Sequence, residues 1–279
     1  MTDSPENHRA SRGIVGPAEA VRGSSPLAHC LTNAVVKEIT ANVLLAVGAS
    51  PAMVEHPEEA RIFAGMADGV LVNVGTVSED QIAAIRAAVE TAGSAGVPWV
   101  LDPVAVGGLP LRTEFARDLV AQRPTAIRGN ASEIVALAGQ GGGGRGVEST
   151  DAVEIALDAA RSLADTTGGV VAISGERDVI VSANRTTWLT SGHEFMPLVI
   201  GTGCSLGATV AAYLGAARAA GLADHDAVLA AHAHAGAAGS LAGRIADGPG
   251  SFHVRWIDSL YELSPAGIGR LVEVHEEAQ

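Results

Sequence analysis

The run Gly201-Thr202-Gly203-Cys204-Ser205-Leu206-Gly207 carries the densest chemical signal in the chain. It opens an apolar helical stretch that continues through Ala220, so free backbone N–H groups and the helix dipole favour negative charge there. Its glycines let a ligand approach the backbone closely, which makes Gly201, Thr202 and Gly203 candidates for an anion cradle. The run is not a dinucleotide fingerprint, because Leu206 stands where the third glycine is required and a hairpin precedes it. Cys204 lies in the first helical turn, where the dipole is expected to lower a thiol pKa from about 8.5 toward neutrality. It reads as a nucleophile, as a proton acceptor, or as a small buried hydrophobe.

A second group lies between residues 102 and 133. Asn130-Ala131-Ser132-Glu133 follows a strand and opens a helix, so Asn130 and Glu133 fit a capping box. Glu133 with Asp102, at the neighbouring strand end, equally fits a magnesium site completed by waters. Arg128, next to both, fits a bidentate phosphate ligand. His232 and His234 are two apart on a helix and point in nearly opposite directions, so a shared metal is not expected. His29 reads as packing and Cys30 as pocket wall.

The elements that must position these residues alternate almost to residue 200. Apolar β-type runs are expected near 26–31, 49–54, 69–74, 97–102, 125–128 and 169–174. Helical patterns fit 33–47, 57–67, 78–95, 111–122, 130–138 and 151–166. Gly48, Gly96 and Gly168 sit just beyond helices, as left-handed caps would, and Pro57 suits a first helical turn. Strict alternation predicts an α/β fold with a mostly parallel central sheet and helices on both faces. Asp178 to Ser182 and Thr186 to Thr190 meet at Ala183-Asn184-Arg185 and predict a hairpin at the sheet edge. The last eighty residues or so read as mostly helical. Residues 1–15 are polar and read as a flexible tail, 16–279 as one domain, and 140–146 as a flexible glycine-rich loop within it.

In open parallel sheets the ligand sits outside the carboxyl ends of the strands. Those ends carry Thr32-Asn33, Met53, Asn73, Asp102, Arg128-Gly129-Asn130 and Ser174-Gly175-Glu176. Carboxylates, an arginine and hydroxyls together suit a metal with phosphate.

Composition removes other classes. A formal charge of −13 and 3 % aromatic residues disfavour nucleic acid, which needs a basic surface and stacking platforms. Lys37, the sole lysine, follows Val36, so neither a G-x-x-x-x-G-K-[ST] loop nor a V-A-I-K element exists, and no motif supports a Schiff base. Cys30 and Cys204, the two cysteines, form neither a disulfide framework nor a C-x-x-C pair, which fits a reducing cytoplasm. The amino-terminal residues have no apolar segment of the signal-peptide type, and no membrane span is expected.

Taken in order, these residues resemble a known family. Thr32-Asn33, Gly48 to Met53, Asn73-Val74-Gly75-Thr76, Leu101-Asp102-Pro103-Val104, Ile127 to Glu133, Gly201 to Cys204 and Gly248 to Phe252 are similar to the motifs of hydroxyethylthiazole kinases, from about Pro26 to Leu263. The resemblance implies a three-layer ribokinase-like fold and a homotrimer with active sites between subunits. It also implies ATP-dependent phosphorylation of 4-methyl-5-(2-hydroxyethyl)thiazole in thiamine salvage, with Mg²⁺. Carried over by position, Met53 and Asn33 face the substrate and Gly201 approaches it. Cys204 stands beside the reacting hydroxyl, where related sugar kinases carry Asp. Arg128 and Ser174, with Thr202 and Gly203 of the cradle, serve ATP, and Asp102 and Glu133 serve Mg²⁺. Three places depart from the pattern: Ser174 replaces Thr, Ala105 replaces Gly, and Leu198-Val199-Ile200 replaces a stretch with a basic residue and a Thr. Competing readings are a kinase of another small alcohol such as a hydroxymethylpyrimidine, a Cys204-dependent hydrolase, and a binding protein without turnover.

Overall fold

The computed structural model describes residues 5–140 and 150–277. Helix α1 (Pro5–Ser24) leads into β1 (Leu27–Leu31), α2 (Lys37–Val47), β2 (Ser50–Ala52), α3 (Pro57–Ala64), β3 (Gly69–Asn73) and α4 (Glu79–Ala95). Then come β4 (Trp99–Asp102), α5 (Pro110–Val120), β5 (Ala126–Asn130), α6 (Ala131–Leu137), α7 (Thr150–Thr167) and β6 (Val170–Ser174). The hairpin β7 (Arg177–Ser182) and β8 (Arg185–Thr190) precedes α8 (Thr202–Ala219), α9 (Asp224–Gly243), α10 (Pro249–Glu262), α11 (Pro265–Arg270) and β9 (Glu273–Glu276). The nine strands among the described residues form one sheet in the order β2-β1-β3-β4-β5-β6-β7-β8-β9. The first six pair in parallel and the last three add antiparallel.

The central parallel strands are apolar on both sides because each side meets helices. Leu71, Val100, Ala126 and Ala172 face one core, with Val43, Leu44, Val210, Tyr213 and Trp256 from α2, α8 and α10. Val70, Val72, Leu101, Ile127 and Val171 face the other, with Ile85, Phe115, Ile134 and Leu163 from α4 to α7. The three-layer α/β arrangement expected from alternation is therefore present. Gly48, Gly96 and Gly168 all carry positive φ just past their helices, and Pro57 opens α3.

Three expectations need correction, and the mostly helical carboxyl-terminal region holds in α8 to α11 with one addition. The tail expected through residue 15 is helical from Pro5, and Ile14, Ala18 and Val21 are buried. Their i, i+4, i+7 spacing makes an apolar stripe that packs against α8 and α9, a short pattern hidden among Gly13, Gly16 and Pro17. The carboxyl-terminal region also contains β9, a short edge strand of alternating exposure that pairs with β8. Its charged residues gave no strand signal. Helix α2 starts at Lys37 rather than 33, because residues 33–36 form a loop at the strand ends. Cys30, expected as pocket wall, is wholly buried in the core, which raises its thiol pKa to about 12. The expected glycine-rich loop, past Gln140, lies outside the described residues. Among the described residues no helix is long and apolar enough to cross a membrane.

Candidate active site

Strand alternation decides which side chains meet. Leu71, Val100, Ala126 and Ala172 point toward the α8 layer, so the residues two further along, Asn73, Asp102, Arg128 and Ser174, point there too. Register then sets them side by side, with Asn73 opposite Asp102 and Asn130 opposite Ser174. Helix α8 lies over this row, and small residues bring it close. A Cβ on Gly207 would stand 2.9 Å from Leu71 and 3.4 Å from Asp102 Oδ2, and one on Gly203 would stand 3.4 Å from the Arg128 guanidinium.

Asp102 is fully buried. Its Oδ2 accepts a hydrogen bond from Asn73 Nδ2 at 2.7 Å, while Oδ1 has no hydrogen-bond partner and lies 3.8 Å from Arg128 Nη1. Burial pushes the carboxyl pKa up to about 7; the Arg128 charge opposes that shift, the Glu133 charge adds to it, and the Asn73 hydrogen bond opposes it. The short bonds of Arg128 go to Ser174 Oγ, from Nε at 3.1 Å and Nη2 at 2.9 Å. Nη1 is left beside Asp102 and Gly203.

Glu133 satisfies the capping box in full, since Asn130 Oδ1 accepts from the Glu133 amide and Glu133 Oε2 accepts from the Asn130 amide. Its Oε1 also accepts from the Ala105 amide at 2.9 Å. Glu133 thus ties the loop after Asp102 to the start of α6. Ala105, standing where the resemblance implies Gly, adopts φ +57°.

A cation would meet one carboxylate oxygen without a hydrogen-bond partner here, the buried Asp102 Oδ1, with the engaged Glu133 carboxylate near it. No cluster of three or more His, Cys, Asp or Glu side chains suited to a metal exists among the described residues. Such a donor set fits Mg²⁺, which takes one or two carboxylates and fills its other positions with water and phosphate oxygens.

The first hydrogen bond of α8 runs from Ser205 N to Gly201 O, so the amides ahead of it are free of the helix ladder. Gly201 caps α8 at φ +94°, and a Cβ there would stand within 2.4 Å of Ile39. Thr202 Oγ1 donates to the Met196 and Val199 carbonyls, so its hydroxyl braces the preceding loop and only its backbone faces the cradle.

Cys204 Sγ accepts a hydrogen bond from Asn33 Nδ2 at 3.4 Å. Its thiol pKa is raised, not lowered as its place in the helix suggested. Burial dominates and the Asp102 charge adds to it, against hydrogen bonds from Asn73 and Asn33 and the Arg128 charge. None of these groups is a histidine. His232 and His234 part as expected: one meets Asp178 Oδ2 at 2.7 Å, the other Tyr213 Oη at 2.7 Å and the Leu260 carbonyl at 2.9 Å.

The fold therefore joins Asn33, Asp102, Arg128, Ser174, Gly203 and Cys204, with Glu133 linked through Ala105. Met53 follows β2, the strand beside β1, and is half-buried and packed against the α8-side core. Asn73 was legible as a strand-end residue but carried no assigned role; the structure places it at the centre of the polar network.

The hydroxyethylthiazole kinase family is matched over residues 18–266. A hydroxyethylthiazole kinase of Corynebacterium glutamicum is 59 % identical over 256 residues, covering 92 % of this chain and 96 % of the relative. One of Klebsiella pneumoniae is 52 % identical over 243 residues, covering 87 % and 92 %. The solved hydroxyethylthiazole kinase of Pyrococcus horikoshii superposes with a TM-score of 0.86 at 32 % identity, covering 96 % of this chain and all of that one. A pyridoxal kinase of Staphylococcus aureus, at 17 % identity and a TM-score of 0.63 over 91 % of this chain and all of its own, shares the fold.

Proposed function

This chain belongs to the hydroxyethylthiazole kinase family, and from that membership we propose that it transfers the γ-phosphoryl group of ATP to the hydroxyl of 4-methyl-5-(2-hydroxyethyl)thiazole, a step of thiamine salvage. The observation that carries the phosphoryl-transfer chemistry is the convergence of Asp102 Oδ1, the Arg128 guanidinium and the free amides of α8 at one edge of the sheet.

Phosphoryl transfer asks a protein mainly for positioning and charge stabilisation. Arg128, held by Ser174, offers Nη1 to phosphate oxygens beside the α8 amides at Thr202, Gly203 and Cys204. Asp102 and Glu133 are the residues that would hold Mg²⁺, which would supply charge neutralisation for the phosphates there. On the acceptor side, Asn33 of the loop after β1 donates to Cys204 Sγ in the first turn of α8, and the thiol so held is the group that meets the substrate hydroxyl. With its pKa raised, Cys204 acts as a neutral hydrogen-bond partner that orients the hydroxyl oxygen toward the phosphate, not as a nucleophile. Gly201 lets the substrate approach the chain, and Met53 walls the thiazole.

We read the assembly as a homotrimer with its sites between subunits. Supporting this, the residues flanking the site are apolar and open: Val35 is 66 %, Leu198 62 % and Ile200 69 % exposed. The two unpaired cysteines fit a cytoplasmic enzyme. Incubation with Mg²⁺-ATP and a panel of small alcohols, following ADP, tests the reading. Thiazole-dependent ADP formation that stops in excess EDTA is expected; turnover on a hydroxymethylpyrimidine alone, or none on any alcohol, would overturn it.

A further inference from the structure

We propose that Asn73 is a positioning residue for phosphoryl transfer, fixing the Asp102 carboxylate and the Asn33–Cys204 pair as one unit. This inference rests on the kinase reading above. Asn73 is fully buried at the carboxyl end of β3, in the centre of the parallel sheet. Its Nδ2 donates to Asp102 Oδ2 at 2.7 Å, and its Oδ1 accepts from Asn33 Nδ2 at 3.1 Å and from the Gly75 amide at 3.0 Å.

These three bonds leave the amide one orientation. Turned over, it would set oxygen against carboxylate and NH₂ against two N–H donors. An amide is also the side chain suited to the position, because it donates and accepts at once without adding charge. A carboxylate there would face Asp102, and an apolar residue would strand both sides.

Two consequences reach the chemistry. By occupying Oδ2, Asn73 decides that Oδ1 is the oxygen of Asp102 left open toward Arg128 and the phosphate side. By holding Asn33, it aims that amide at Cys204 Sγ on the acceptor side. The local chain is built around this arrangement. A Cβ on Gly75 would stand 3.0 Å from both Asn33 Cβ and Asn73 Oδ1. From the β3–α4 connection Thr76 Oγ1 accepts from the Ala34 amide at 3.0 Å, and from the first turn of α4 Gln81 Nε2 donates to the Thr32 carbonyl at 2.9 Å. The acceptor loop at 32–34 is thus clamped by residues that follow Asn73 in sequence.

The test is steady-state kinetics of Asn73→Ala, Asn33→Ala and the double variant in the full chain, with thermal melts. Asn73→Ser, which keeps a hydroxyl in the space, replaces Asn73→Ala if that variant does not fold. Asn73→Ala is expected to lower kcat by ten-fold or more while the KM for ATP stays within about three-fold, because the Arg128–Ser174 bonds do not depend on it. The double variant is expected to lose less than the product of the single losses, since Asn33 is aimed by Asn73. A folded variant with near wild-type kcat, independent losses in the double variant, or failure of both Asn73 variants to fold would each overturn the positioning role. A wild-type chain that turns over no alcohol would overturn the kinase reading, and this inference with it.

Discussion

Glu133 Oε1 accepts a hydrogen bond from the backbone amide of Ala105, a residue held at φ +57°. The same carboxylate accepts the Asn130 amide through its other oxygen. Capping and loop tethering therefore use both oxygens, and Glu133→Gln, with one acceptor oxygen, keeps only one of the two bonds. The variant is expected to fold with a stability loss of about 1 kcal/mol. Its activity should fall ten-fold or more, roughly 1.4 kcal/mol of transition-state stabilisation. The Mg²⁺ concentration for half-maximal rate should rise as well. Unchanged kinetics at limiting Mg²⁺ would leave Glu133 as a cap and tether alone.

Ala105→Gly tests the loop from the other end. An L-residue in the left-handed region costs roughly 1–2 kcal/mol, and the extra freedom of glycine in the unfolded chain returns about 0.4–1 kcal/mol of that. A net gain of about 0–1.6 kcal/mol follows, visible as a melting temperature higher by roughly 2–4 °C for each kcal/mol gained. A lower melting temperature would mean that the alanine methyl makes compensating contacts.

Acid should destabilise this fold through two buried histidines. His225 is held between Ser182 Oγ at 2.8 Å and Thr187 Oγ1 at 2.9 Å, and burial lowers its pKa to about 3, with the Arg185 charge adding. His234 is lowered to about 4, again mainly by burial. Both folded pKa values lie below the unfolded value near 6.5, so below that pH the unfolded chain binds more protons. The stability these groups contribute is fully present above about pH 7 and is lost as pH falls from there through about 4 to 3. Urea midpoints should therefore drop between pH 7.5 and 5, and His225→Gln should flatten that slope at some constant cost. Parallel curves for wild type and variant would refute the assignment to His225.

What the sequence displayed and what it hid divide along physical lines. The row Asn73, Asp102, Arg128 and Ser174 was legible because alternating strands and helices fix a parallel sheet, and a parallel sheet puts its ligand at the carboxyl ends. The glycine caps and the capping box at Asn130 were legible because each depends on a few neighbouring residues. The thiol of Cys204 was not, since its helix position is local but its burial and the Asp102 charge come from distant chain segments. The same limit hid the place of Asn73, whose partners lie 40 and 29 residues away. Helix α1 and strand β9 escaped for another reason: their apolar periods are too short to stand out before tertiary packing selects them.

The last prediction concerns Cys204. Its thiol is half-buried with a raised pKa, whereas Cys30 is fully enclosed in the core with a pKa near 12. Native alkylation with iodoacetamide should therefore be slow at pH 7, accelerate with rising pH, and stop at one adduct per chain, at Cys204. General-base assistance is worth about 10²–10⁴-fold where it operates, and a neutral thiol that only orients a hydroxyl supplies less. Cys204→Ala should keep measurable kinase activity, reduced by less than about 10²-fold, because Arg128, Asp102 and the α8 amides remain. Cys204→Asp should also stay active, since a carboxylate accepts the same bonds from Asn33 and the substrate hydroxyl. Its gain over Ala is limited by the Asp102 charge that already opposes ionisation at this position. Intact-mass spectra of the working enzyme should show no covalent intermediate. A substrate adduct on Cys204, together with complete loss of turnover in both variants, would replace the hydrogen-bonding role with a nucleophilic one.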